Sequence, residues 1–313
     1  MPFLYLGIPM AAALNVTHGF LPPHPAPTTI SLAYQADPGH VLLLGIAVGI
    51  PTPLVCGPLF NAVLYRVAPG LYHRSGDMSA FGEVKTYLIE QTPGFLVSVL
   101  TSLAPVIFMA LATVVDLLFP HNDIIWVRAI KFIGTPGMAM LISLLIAFYT
   151  MGYARNRNAE DMGKTLSSAI AQISMMLLII GGGGAFKQVI VEGGVGDYVA
   201  GLFQVSSLSP IVITWTIAAI LRLCLGSATV AALTTAGIVA PMLPMFQIAP
   251  VLIVLATGAG SVTTCHVNDA GFWMIKESFG LTMKETFCSW TLLTTVLAVS
   301  GLIFTLIAEK LFY

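Results

Sequence analysis

Arg222 ends an apolar run that opens near Pro210, and Gly226-Ser227-Ala228-Thr229 follows it almost at once. A guanidinium is a planar fork of donors suited to a carboxylate, and it is costly in an apolar setting unless paired. The glycine can break a helix there. Ser227, Thr229 and the free backbone N–H groups of a new helix start would then offer more donors to an anion. Position alone leaves a second reading open, in which Arg222 snorkels to lipid headgroups. Further on, His266, Asn268 and Asp269 form another polar cluster. Asp269 can accept a proton, with an affinity that burial raises and a nearby cation lowers. His266 titrates near neutrality in its unperturbed state. The same Asn-Asp-Ala-Gly composition also suits an exposed turn. His18 and His24, in a proline-rich stretch, can hold substrate, carry a proton, or simply tie down a loop.

Between Arg222 and Asp269, residues 223–268 contain no Asp, Glu, Lys or Arg, yet Gly, Pro, Ser and Thr recur too often for one smooth membrane helix. Apolar segments broken in this way, with ionisable groups at the breaks, are how secondary transporters build sites at membrane depth. The composition agrees. Of 313 residues, 57% are hydrophobic and 9% charged, with a mean hydropathy of +0.91, against about 25% charged in soluble domains. A net charge of −1 offers no basic surface to nucleic acid. Cys56, Cys224, Cys265 and Cys288 form no CxxC pair and read as small packing residues rather than a disulfide framework or zinc site.

Taken in order, residues 1–14 are apolar but carry no basic n-region and are shorter than the roughly 20 residues a spanning helix needs. The chain therefore reads as starting inside a helix. Residues 15–29 hold four prolines, which predicts irregular backbone rather than a regular helix. Spans are expected at about 40–64, 94–119, 136–153, 165–184, 210–222 and 287–308, giving roughly eight to ten spanning, broken or re-entrant elements. The loop with Arg66, Arg74 and Lys85 and the loop with Arg155, Arg157 and Lys164 fall on one side, cytoplasmic by the positive-inside rule. Arg128 and Lys131 fall on the other, in a segment that reads as an interfacial helix with Trp126 and Phe132. Gly181–Gly184 lack the surrounding GxxxxGK[ST] pattern of a phosphate loop and suit close helix packing. No HExxH occurs, and no serine–histidine–aspartate arrangement is visible, so an enzyme is not expected. Asn15-Val16-Thr17-His18 loosely resembles the segment from Ser261 to His266, which hints at internal duplication.

Four stretches carry a family resemblance: PMAAALNVTHGFLPPHPAPT (9–28), MMLLIIGGGGAFKQV (175–189), LRLCLGSATVAALTTAGI (221–238) and GSVTTCHVNDAGFWMIKE (260–277). Through them the chain resembles the gluconate permease family of proton-coupled sugar-acid symporters. The resemblance implies an all-α polytopic membrane protein of the bacterial inner membrane with an inverted-repeat fold. It makes residues 1–313 a single transporter domain. Residues 1–155 would be the remainder of a first repeat that lacks several N-terminal spans, and 165–313 the second repeat. It implies import of gluconate or a related aldonate with a proton as coupling ion and no other cofactor, lipid as surroundings, and a homodimer by fold analogy. The expected substrate-binding set is Thr17, His18, His24, Thr28, Arg222, Ser227, Thr229, His266 and Asn268, with Asp269 and His266 coupling the proton. The alternatives are a symporter for a dicarboxylate or lactate, and a membrane component that does not transport.

Overall fold

Prolines set many of the helix starts, because the first turn of a helix does not need the N–H that proline lacks. The computed structural model describes residues 3–73, 92–119, 124–170, 192–193 and 208–313. Gly181–Gly184, Arg74 and Lys85 lie outside them. The described residues are helical throughout apart from turns and breaks, and six of their helices are long and apolar enough to cross a membrane. This is the all-helical polytopic architecture expected. Chain contacts divide it into two units, Met1–Val84 with Gly183–Tyr313, and Lys85–Gly182.

In the first unit, α1 (Phe3–Phe20) is followed by a four-residue break and α2 (Pro25–Ala33). The irregular segment expected over 15–29 is thus a correction: Asn15, Thr17 and His18 are helical, and only residues 21–24 interrupt. Pro25 and Pro27 sit in the first turn of α2, where they are tolerated. The apolar start is likewise no half-length segment, since helix and break together extend over Leu4–Ala33. Next, α3 (Pro38–Gly49) is capped by Asp37, which accepts from the His40 N–H at 2.8 Å. The same span continues through α4 (Pro51–Leu54), a π turn at Val55–Leu59 that accommodates Pro58, and α5 (Phe60–Val67).

The second unit contains α6 (Phe95–Leu118), α7 (Ile125–Ile133) and α8 (Pro136–Ala147), with the last continued by irregular turns to Arg155. The segment read as interfacial is the helix α7: Ile125, Trp126 and Phe132 are exposed, Val127 is buried, and Lys131 pairs with Asp116. The Thr101 and Thr150 hydroxyls share a hydrogen bond of 3.1 Å.

The first unit resumes with α9 (Pro210–Leu225), α10 (Ala228–Val239), α11 (Pro250–Ser261), α12 (Ala270–Ser278), α13 (Met283–Thr286) and α14 (Leu292–Phe312). Every residue from Val251 to Ser261 is buried, and α11 packs against α9, α14, α1, α2, α10 and α3. At about 18 Å for its length, α11 cannot cross the roughly 30 Å apolar layer. It ends inside, against α1, where a Cβ on Gly258 would collide with the Gly19 carbonyl.

Backbone that leaves a helix at membrane depth must find partners within the protein. After α11 those partners are threonines of the last span. The Cys265 N–H donates to Thr294 Oγ1 at 2.9 Å, and the Thr291 hydroxyl donates to the Cys265 carbonyl at 2.5 Å. Thr264 takes a left-handed φ of 41°, a conformation persisting only where its surroundings fix it. Its hydroxyl is held by Thr263 at 3.0 Å and Thr295 at 3.1 Å.

Candidate functional site

Two helix breaks meet in the first unit. The α9 helix closes at Gly226, whose φ of 73° suits glycine. A Cβ at that position would strike the Asn268 carbonyl, so the two breaks touch through backbone. Ser227 then caps α10 by accepting from the Val230 N–H. On the other side, Asp269 caps α12, its Oδ1 accepting from the Gly271 N–H at 2.6 Å. Asn268 Nδ2 donates to the Leu223 carbonyl at 2.8 Å, binding the second break to the last turn of α9.

The central contact is an ion pair, Arg222 Nη2 to Asp269 Oδ2. Arg222 is 4% exposed and Asp269 20%, so Arg222 does not snorkel, and the Asn-Asp-Ala-Gly turn is not simply a solvated one. The carboxylate covers only part of the guanidinium, for Nε and Nη1 of Arg222 are buried with no partner among the described residues. Unsatisfied buried donors on a charged group cost more than the roughly 1–3 kcal/mol of neutral ones, which makes the spot receptive to an acceptor.

Arg222 and Asp269 lie on the wall of a cavity of about 1090 Å³. Its volume is slightly above the roughly 300–1,000 Å³ usual for small-molecule sites. Of the expected residues, His18, Arg222, Ser227, Thr229, Asn268 and Asp269 line it. Thr17, His24, Thr28 and His266 do not. Thr17 faces outward and its hydroxyl donates to the Leu14 carbonyl at 2.8 Å. His266 is half-buried in the break, its carbonyl accepting the Asp269 N–H at 2.9 Å. His24 sits beyond the wall but touches it through His18, Nε2 to Nδ1 at 3.1 Å. Thr28, one turn further, keeps a buried hydroxyl without a partner.

Asn15, Cys265 and Trp290 also line the cavity and escaped the sequence reading. Asn15 stands one turn before His18 on the same face of α1, a relation visible once α1 is read as helical through Phe20. Trp290 comes from the π turn Phe287–Thr291 before α14, and its buried indole N–H has no hydrogen-bond partner among the described residues. No local sequence signal marks it. The rest of the lining is largely apolar and includes Leu6, Met10 and Leu14 of α1 with Met274 of α12. Among the described residues no group of three or more His, Cys, Asp or Glu could hold a metal ion. Among the described residues the arrangement is therefore a polar corner with one strong cation, a carboxylate paired to it and several hydroxyl and amide groups, set among apolar side chains.

Comparison with known proteins gives the same direction. The model of the GntP family permease matches residues 1–311. The chain is 63% identical over 306 residues to the uncharacterized permease YojA of Bacillus subtilis, covering 96% of this chain and 68% of that one. It is 55% identical over 309 residues to a gluconate permease of the same organism, covering 97% and 68%. To the Gnt-II system L-idonate transporter of Escherichia coli it is 44% identical over 303 residues, covering 97% and 67%. No solved structure matches it.

Proposed function

The chain belongs to the GntP family of permeases, and from that premise we propose that it carries gluconate or a related aldonate inward with a proton across a bacterial inner membrane. Its relatives are transporters, among them gluconate permeases and an L-idonate transporter, so the class of cargo is a sugar acid. The observation that carries the reading is Arg222, a buried cation on the cavity wall with two of its three guanidinium nitrogens unpartnered. A substrate carboxylate supplies the missing acceptors, and charge-assisted bonds of this kind are among the strong ones.

Ser227, Thr229, Asn268 and Asn15 then face the hydroxyls of a polyol chain, for which donors and acceptors on several sides are required. Asp269 provides the coupling. The incoming carboxylate shares Arg222 with it, and a carboxylate whose cation is partly neutralised by a second anion takes up a proton more readily. One anion and one proton are thereby bound together, so little net charge moves through the apolar layer. His266 acts here through its carbonyl, which fixes the Asp269 N–H. A single strong cation among the described residues that line the cavity favours a monoanion over a dicarboxylate.

The test is uptake of labelled gluconate by proteoliposomes under an imposed inward proton gradient. Uptake above equilibrium that collapses with the gradient, and is competed by aldonates more than by lactate or dicarboxylates, supports the proposal. Uptake indifferent to the gradient, or competed best by a dicarboxylate, overturns it.

A further inference from the structure

His18 and His24 are hydrogen-bonded to one another across the α1–α2 break, with their rings 4.3 Å apart. Only His18 lines the cavity. His24 stands in the break itself, next to the exposed Pro25, and its Nδ1 is buried without a partner among the described residues, as is the Thr28 hydroxyl one turn on. A pair of imidazoles with one member on the cavity wall and the other outside it, each nitrogen able to donate or accept, is built to pass protons.

The surroundings contain few competitors. Facing His18 are Arg222 of α9 and Asp269 ahead of α12, both on the same cavity. Among the described residues the elements packed against α1 and α2 add these titratable groups: none on α4, α10 and α11, the exposed His40 at the start of α3, Cys56 in the π turn at Val55–Leu59, Tyr65 and Arg66 on α5, Tyr72 and His73 in the turn after it, and Glu309 and Lys310 in the last turn of α14. Cys265 borders the cavity beside Asp269.

We propose that His18 and His24 form a proton relay through the α1–α2 break, joining the break segment to the cavity that Asp269 lines. The inference rests on the proton-coupled reading above and names the route of that proton. A proton arriving at His24 Nδ1 makes an imidazolium, which hands its Nε2 proton to His18 Nδ1. His18 in turn releases its own Nε2 proton into the cavity, where Asp269 receives it once substrate holds Arg222. One proton enters and one leaves. The hydrogen bond ends reversed, with His18 Nδ1 now donating, and the pair resets by ring exchange with water after release.

The test uses full-chain proteoliposomes loaded with a pH-sensitive dye and two measurements: gluconate-driven internal acidification, and exchange of labelled for unlabelled gluconate, which needs no net proton. His24→Gln is expected to lower coupled acidification by about 100-fold, the lower range for a positioned proton-transfer group, while exchange stays within about twofold of wild type, because His24 does not touch the cavity. A His24→Gln protein that acidifies as fast as wild type overturns the relay and leaves the symport reading intact. Wild-type uptake without acidification overturns both. Nitrogen-15 histidine spectra of the wild-type chain serve if the variant does not fold. Resonances of the two rings that titrate together as a coupled pair support the relay, and independent titration overturns it.

Discussion

Arg222 Nη2, in the last turn of α9, donates to Asp269 Oδ2 at the start of α12, so one ion pair closes a gap of 47 residues and joins two helix breaks. Each partner has a second task. Arg222 lines the cavity with two nitrogens unpartnered, and Asp269 caps α12 with its other oxygen.

Asp269→Asn separates those tasks, because asparagine caps a helix as well as aspartate but carries no charge. Arg222 is left buried and uncompensated, which costs about 3–5 kcal/mol. The unliganded variant should melt well below wild type, gluconate should raise its melting temperature more than it raises the wild-type value, and uphill uptake should vanish. Equal ligand shifts in thermal melts of the two proteins would show that substrate does not contest the ion pair.

Arg222→Lys keeps the charge and loses the planar fork. Loss of one charge-assisted hydrogen bond, about 1.5–3 kcal/mol, weakens gluconate binding by roughly 10- to 150-fold. Titration calorimetry on the purified variant reads this directly, and an affinity within threefold of wild type would place the substrate carboxylate elsewhere.

Gly226→Ala introduces a side chain at φ of 73° and drives its Cβ into the Asn268 carbonyl. The incompatible backbone alone costs more than about 1 kcal/mol, and the collision adds to it. We expect lower thermal stability together with a raised KM for gluconate, since the two breaks are pushed apart. A raised melting temperature would mean that the α9 end adjusts freely.

Thr294→Val removes the acceptor of the Cys265 N–H, leaving a buried donor unpaired at a cost of about 1–3 kcal/mol. Thr295→Val breaks the hydroxyl contact with Thr264 and a donation to the Thr291 carbonyl, which is left to its helical surroundings, but it keeps the Cys265 N–H paired and should cost less. Chemical or thermal denaturation of both variants ranks them, and the reverse order would contradict the assignment of Thr294 as the support of the break.

The polar corner was half legible in the chain. Arg222, Gly226, Ser227 and Asp269 stood out as polar or helix-breaking residues in an otherwise apolar run, and all four sit at the meeting of the breaks. The four prolines of 15–29 misled in one respect. They suggested a long irregular stretch, whereas Pro25 and Pro27 fall in a helix's first turn and the interruption shrinks to residues 21–24. That shift is what puts Asn15 and His18 on one helical face and moves His24 out of the cavity. Trp290 gave no sign, because its place depends on a π turn that rotates it toward α1 and α12.

By itself the sequence determined the class and the materials: an all-helical membrane protein, broken where glycine, proline and threonine interrupt apolar runs, with its few charges at the breaks. Those properties follow from the cost of unpaired backbone and buried charge in lipid, which residue types alone reveal. Only the tertiary structure decided the pairing. Arg222 either snorkels or holds a partner according to what stands opposite it, and that partner lies 47 residues away. His18 and His24 become one unit only because a four-residue break folds the chain back on itself. Distance along the chain carries no information about such contacts, because they are set by how whole helices pack.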